Sequence, residues 1–127
     1  MKYLGIDYGD SKIGLALGDS ETGLALPFKI IANEGREKLF SELNQIIADE
    51  EIECMVVGWP LNVNSQATEQ TKKVDDFISE AKLRLSITIE TNDERFSSQE
   101  AKKMGAGKRD DDVASMLMLQ NYLDGQK

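Results

Sequence analysis

Tyr3-Leu4-Gly5-Ile6-Asp7-Tyr8-Gly9-Asp10-Ser11-Lys12-Ile13-Gly14-Leu15-Ala16-Leu17 is the stretch whose reading decides the architecture. Residues 3–8 alternate as a strand, with Leu4, Ile6 and Tyr8 on one face and Gly5 and Asp7 on the other. Gly9-Asp10-Ser11 is a turn, and residues 12–17 form a second strand, so the two strands make a hairpin. A carboxylate inside an otherwise apolar strand is costly to bury unless it is paired, hydrogen-bonded or bound to a metal. The simplest role for Asp7 is to cap the Gly9 turn. Gly5 and Gly9, however, suggest open space beside the carboxylate, which a turn alone would not require.

Outward from the hairpin, residues 24–32 read as a third strand, broken or bulged near Pro27 and therefore suited to an edge. Asn33 is placed to cap a helix running to about Glu50, with Leu39, Leu43, Ile46 and Ile47 on one face. Residues 51–57 form a buried strand ended by Gly58-Trp59-Pro60, and residues 67–83 an amphipathic helix carrying Val74, Phe77, Ile78 and Ala81. Residues 85–90 alternate as a fifth strand, and a loop holds residues 92–96. Ser97 or Ser98 caps a short helix that fails at Gly105-Ala106-Gly107, and residues 110–123 form a last helix, apolar on most sides. The order βββαβαβαα predicts an α/β fold. A three-strand antiparallel meander joins two parallel strands in a mixed five-stranded sheet flanked by helices, all within one domain over 1–127. The carboxyl ends of strands one, four and five then share one edge, where ligands bind in such sheets. Asp7, the 58–62 loop and Asp93-Glu94-Arg95 open there.

Composition narrows the chemistry. The chain has 127 residues, 23 Asp and Glu against 15 Lys and Arg for a net charge of −8, and no histidine. Imidazole bases, Ser-His-Asp triads and histidine metal sites are excluded, so acid–base or metal chemistry falls to carboxylates, lysine, tyrosine or water. The single Cys54 excludes an internal disulfide, and its apolar neighbours suggest a buried, inert thiol. No apolar run approaches membrane-spanning length, and no signal-peptide pattern opens the chain, so no membrane partner and a cytoplasmic setting are expected. The acidic balance does not favour nucleic acid through bulk charge, and any such binding must be local.

Three acidic clusters stand at separate elements: Asp7, Asp93-Glu94 and Asp110-Asp111-Asp112. The last also has a structural reason, because carboxylates in a first helical turn each gain about 0.3–1 kcal/mol from the helix dipole. Carboxylates from all three clusters, meeting without histidine or thiolate, would make a hard oxygen site suited to Mg²⁺ or Mn²⁺. Two ions about 3.5–4 Å apart can activate water and stabilise the leaving oxygen of a phosphodiester. They also invert the local charge, so an acidic protein can still take a polyanion. Lys12, Arg95, Lys102, Lys103, Lys108 and Arg109 add positive charge around the crevice, Lys102 and Lys103 reading equally as solvated surface. Trp59 and Tyr8 are candidate base-stacking surfaces, with packing as the default reading. Residues 116–119 read as core.

Gly5-Ile6-Asp7-Tyr8-Gly9 with Lys12-Ile13-Gly14-Leu15-Ala16, and Val56-Val57-Gly58-Trp59-Pro60-Leu61-Asn62, resemble the YqgF/RuvX family. So do residues 93–101, beginning Asp93-Glu94-Arg95-Phe96, and residues 111–123, beginning Asp111-Asp112-Val113-Ala114. The resemblance implies a ribonuclease H-like fold and a metal-dependent nuclease acting on the 5′ end of pre-16S rRNA. It also admits a Holliday junction resolvase acting on branched DNA, with structured RNA or branched DNA as partner and a monomer or homodimer as the working form. The family's acidic triad falls on Asp7, Glu94 and Asp111, with Asp112 as a helper or substitute for Asp111. These residues are the implied ligands of Mg²⁺ or Mn²⁺, as two ions. Lys12, Asn62 and Arg95 match positions that line the substrate path. The basic segment before the last helix is short here (residues 104–109), and the loop after Asn62 reads Val63-Asn64-Ser65-Gln66; both differences touch substrate contacts and not the carboxylates. Residues 5–17 also resemble the phosphate-binding hairpin of actin-like and sugar-kinase ATPases, but this chain is too short for two lobes that close over ATP. A non-catalytic module that binds RNA or a ribosome-assembly or transcription partner is the remaining alternative.

Overall fold

A computed structural model describes residues 1–59, 69–93 and 111–125. Strands β1 (Lys2–Asp7), β2 (Lys12–Asp19) and β3 (Leu24–Ala32) are followed by helix α1 (Arg36–Asp49) and strand β4 (Cys54–Trp59). Helix α2 (Glu69–Arg84), strand β5 (Thr88–Asp93) and helix α3 (Asp111–Gly125) complete the described elements. The five strands form one sheet in the order β3-β2-β1-β4-β5. β1 is antiparallel to β2 and parallel to β4, β2 is antiparallel to β3, and β4 is parallel to β5. This is the predicted meander plus two parallel strands. The predicted short helix after Ser97 or Ser98 lies outside the described residues.

Alternation along the central strands divides the core in two. Leu4, Ile6, Ile13, Leu15, Met55 and Val57 face α1 and α2, where they pack with Leu39, Phe40, Leu43, Val74 and Phe77. Tyr3, Ala16, Cys54 and Val56 face the other way and are covered by Met118, Leu119 and Leu123 of α3. Both faces of β1 and β4 are therefore buried, which is why their sequences read as nearly continuous apolar runs. Residues 116–119 are core as expected, with Met118 and Leu119 fully buried.

Three boundaries differ from the sequence reading. Asn33 does not cap α1. The helix starts after Gly35, whose φ of 110° is a conformation that L side chains rarely adopt, and Leu39 N–H donates to the Gly35 carbonyl at 3.0 Å. The fourth strand begins at Cys54 and not at Glu51. Glu51 takes a positive φ of 56° and Ile52 N–H donates to the Ile47 carbonyl, so residues 51–52 close α1. The fifth strand begins at Thr88 because Leu85 closes α2 through its N–H to the Ala81 carbonyl at 2.8 Å. Leu85, Ile87 and Ile89 keep a period of two across that boundary, which drew the strand too early.

β3 is the edge strand, and its irregularity falls where Pro27 suggested. Register shifts opposite Leu15/Ala16, with Lys29 facing Leu15 and Pro27 facing Ala16, so Phe28 is the extra residue. Gln120 of α3 then covers the edge. Its side-chain amide accepts from Ala25 N–H at 2.8 Å and donates to the Gly23 carbonyl at 2.8 Å. Ala25 thus turns its N–H away from β2, and period two makes Pro27 the next outward position, where a missing N–H costs nothing. Gln120, the proline and the bulge each interrupt this edge as a template for another strand.

Candidate active site at the carboxyl edge of the sheet

Asp7 is the last residue of β1. It pairs with Gly14 of β2 and follows Ile6, which pairs with Val57 of β4. Strand alternation puts it on the same side as Tyr3 and Gly5, the side covered by α3, and it is half-buried there. On the far side of β4, Gly58 pairs with Asn92 and Trp59 with Asp93, so the ends of β1, β4 and β5 share one edge as predicted.

The glycines do not leave open space beside Asp7. A Cβ on Gly5 would stand 2.9 Å from the Leu119 Cβ, and one on Gly9 would stand 2.4 Å from the Lys12 carbonyl oxygen. Gly5 is small because α3 crosses the strand there, and Gly9 because the turn folds back on its own backbone.

The turn after Asp7 is clamped from two sides. Gln70 of α2 donates its amide to the Tyr8 carbonyl at 3.0 Å, and Asn33, one residue past β3, donates its amide to the Gly9 carbonyl at 2.9 Å. Asn33 N–H also donates to the Ser11 carbonyl at 2.9 Å. Lys73, one helical turn beyond Gln70, holds both carboxylate oxygens of Asp10 at 3.1 Å. Sequence reading assigned Asn33 to a helix cap and missed Gln70 and Lys73, because these partners lie 24 to 63 residues from the turn.

α3 runs antiparallel to β1. Tyr122 packs edge-on against Tyr3, with ring centroids 5.8 Å apart, and Leu119 lies over Gly5. From Leu119 the helix extends eight residues back to Asp111, about 12 Å at 1.5 Å per residue. β1 has only two residues left beyond Gly5, about 6.6 Å. The amino end of α3, with Asp111 and Asp112, therefore points towards the edge at which β1 ends. Asn92 fixes the helix to β5 by donating its amide to the Met118 carbonyl at 3.1 Å. The side chains of Asp111 and Asp112, and all of Glu94, Arg95 and Asn62, lie outside the described residues. Among the described residues, no three Asp, Glu or Cys side chains group closely enough to hold a metal ion. Lys12, the other expected substrate contact, opens β2 with an exposed side chain.

The aromatic residues at this edge take part in packing. Tyr8 stacks on Phe77 at 4.7 Å, and the Trp59 indole N–H donates to Asp75 at 2.7 Å while its ring lies against the core. Cys54 is inert. Burial, and after it the Glu90 charge, pushes its thiol up to about 11. The unfolded thiol ionises near 9.0, so the shift contributes stability that is intact below pH 9 and is lost as pH rises towards 11. We expect no alkylation of the native protein by iodoacetamide at pH 8 and full alkylation in denaturant, read by mass spectrometry; rapid native labelling would contradict the burial.

The fold is that of the ribonuclease H-like resolvases. RuvC of T. thermophilus in complex with a Holliday junction substrate superposes with a TM-score of 0.60 at 12% identity, covering 99% of this chain and 96% of that one. The Fowlpox virus Holliday junction resolvase does so with a TM-score of 0.58 at 12% identity, covering 100% of both chains. The family model described as "RuvX: Holliday junction resolvase" matches residues 1–125, and the chain belongs to that family of nucleases. A relative from Desulforamulus reducens, named "Putative pre-16S rRNA nuclease", is 37% identical over 98% of this chain and 97% of its own. One of the same name from Thermoanaerobacter pseudethanolicus is 35% identical over 100% of this chain and 99% of its own. Family membership sets aside the ATPase reading of the first hairpin. Among the described residues no helix is long and apolar enough to cross a membrane.

Proposed function

We propose that this chain hydrolyses phosphodiester bonds in a structured RNA, at the 5′ end of pre-16S rRNA, with a divalent metal held by Asp7, Glu94 and Asp111. Asp112 is the neighbour that replaces or assists Asp111. The observation that supports the reading is the antiparallel crossing of α3 over β1, which directs the amino end of the helix towards the strand end occupied by Asp7. The donor set fits a hard cation, being carboxylate oxygen with no competing imidazole anywhere in the chain. Mg²⁺ or Mn²⁺ bound there, singly or as a pair, supplies water activated for attack and charge for the leaving oxygen.

The chain's own residues then divide the remaining work. Close packing of Gly5 on Leu119 and the clamp on the turn hold the backbone on either side of Asp7. Lys12, Asn62 and Arg95 hold phosphates of the substrate along the edge, where positive charge stabilises the transferred phosphate. Full-length identity of 35–37% to proteins named for pre-16S rRNA supports the RNA substrate. The family's description and a neighbour bound to a Holliday junction favour branched DNA as the second reading. The chain acts in the cytoplasm, where either substrate is found.

The test is a cleavage assay with Mg²⁺ or Mn²⁺ on a precursor RNA spanning the 5′ end of 16S rRNA, beside a four-way DNA junction. Metal-dependent cutting of the RNA alone supports the proposal. Cutting of the junction alone transfers the substrate to DNA, and binding of either without cutting identifies a non-catalytic module.

A further inference from the structure

Lys73 and Asp10 form an ion pair at the edge of the sheet just described, and neither is a metal ligand in the reading above. Lys73 Nζ lies 3.1 Å from both oxygens of Asp10, with the two side chains 51% and 64% exposed. The other described lysine and arginine ion pairs brace helices: Arg36 with Glu80, Lys38 with Glu34, and Arg84 with Glu37 and Glu80. The Lys73 pair instead joins α2 to the turn that directly follows Asp7. Asp10 is three residues beyond Asp7, a reach of about 10 Å at most.

In a chain of net charge −8, a polyanion is drawn only to local cations, and Lys73 and Lys12 flank the same turn on exposed side chains. An exposed lysine–carboxylate pair is weak, worth about 0–1 kcal/mol, so a phosphate can take the ammonium from it at little cost. We propose that Lys73 is a phosphate-contacting residue for the nucleic-acid substrate and that Asp10 is its competitor, occupying the ammonium when no phosphate is bound. Asp10 thereby sets a threshold that favours a strand running along this turn over a stray anion. The inference rests on the nuclease reading for the placement of substrate at this edge.

Opposite signs on the two partners make the test sharp. Binding of a fluorescently labelled RNA stem-loop is measured by anisotropy in EDTA across a range of KCl concentrations. Lys73→Gln should weaken binding about tenfold, the worth of one charge-assisted contact, and reduce the slope of log affinity against log salt by about 0.7–0.9. Asp10→Asn should tighten binding about two- to fivefold. Glu21→Gln, an equal change of net charge on the distant β2–β3 turn, should do neither. Lys73→Arg should restore the affinity, and with metal present Lys73→Gln should raise KM while kcat holds. Two results overturn the proposal: Lys73→Gln with wild-type affinity and slope, or Asp10→Asn weakening binding alongside Lys73→Gln, which would make the pair a brace for the turn. Because binding is read without metal, these results stand apart from the carboxylate reading, which fails separately if Asp7→Asn still cleaves.

Discussion

Asp7→Asn should lower metal-dependent cleavage by about three orders of magnitude while the protein melts within a few degrees of wild type. The substitution keeps shape and volume, and it falls at the end of β1 on a half-buried residue, so the core on both faces of the sheet is untouched. What is lost is one proposed negative ligand, and a metal in such a site supplies several kcal/mol of charge stabilisation in the transition state. At 1.36 kcal/mol per factor of ten, a loss of about 4 kcal/mol is the stated factor. The control sits on the distant β2–β3 turn. Glu21→Gln removes the same charge but no proposed ligand, so it should cleave at a kcat close to wild type. Single-turnover cleavage at saturating protein, across a Mg²⁺ titration, separates the two. An Asp7→Asn protein with wild-type turnover removes the metal from Asp7, whatever the substrate proves to be.

Legibility of the fold varied with the distance over which its causes act. β1 and β2 were readable because alternation, a tight turn and a second alternating run lie within 15 residues, and the edge position of β3 because one proline marks it. Helix α3 was readable as buried because it is apolar on most sides. Asn33 was misread because a capping residue and a residue donating its amide to a turn 24 positions earlier have the same local sequence. Gly5 was misread for a related reason. A glycine beside a carboxylate resembles a cleft, and only the path of α3, set by residues more than 100 positions away, reveals that the space is filled. For the site, Asp7 could be singled out from the physics of a charge in an apolar strand. Glu94, Asp111, Asn62 and Arg95 could not be separated from ordinary loop and helix-end residues without the family resemblance, since acidic residues at a helix start have a sufficient reason of their own.

That filled space leads to the second large effect. Gly5→Ala should cost about 1–3 kcal/mol, the range for forcing extra volume into a packed core, and lower Tm by about 4 °C per kcal/mol in a chain of this length. The new methyl would meet the Leu119 Cβ at 2.9 Å, an atom fixed to the helix backbone that no rotamer change can move. Truncating the neighbour should therefore not rescue the fold, because Leu119→Ala keeps the offending Cβ. Gly18 supplies the contrast on the same helix. A Cβ there would meet the Leu119 Cδ2 at 2.9 Å and the Leu123 Cδ1 at 3.0 Å, both terminal methyls that can turn aside, so Gly18→Ala should be the milder change. Activity should fall further than stability in Gly5→Ala. To admit the methyl, α3 must lift from β1, and its amino end, carrying Asp111 and Asp112, moves away from Asp7 with it. Thermal melts and cleavage rates on Gly5→Ala, Gly18→Ala and Gly5→Ala/Leu119→Ala test this together. If Gly18→Ala is the more damaging, or Leu119→Ala rescues Gly5→Ala, then the helix is not seated on Gly5, and the route by which its acidic end reaches the strand fails with it.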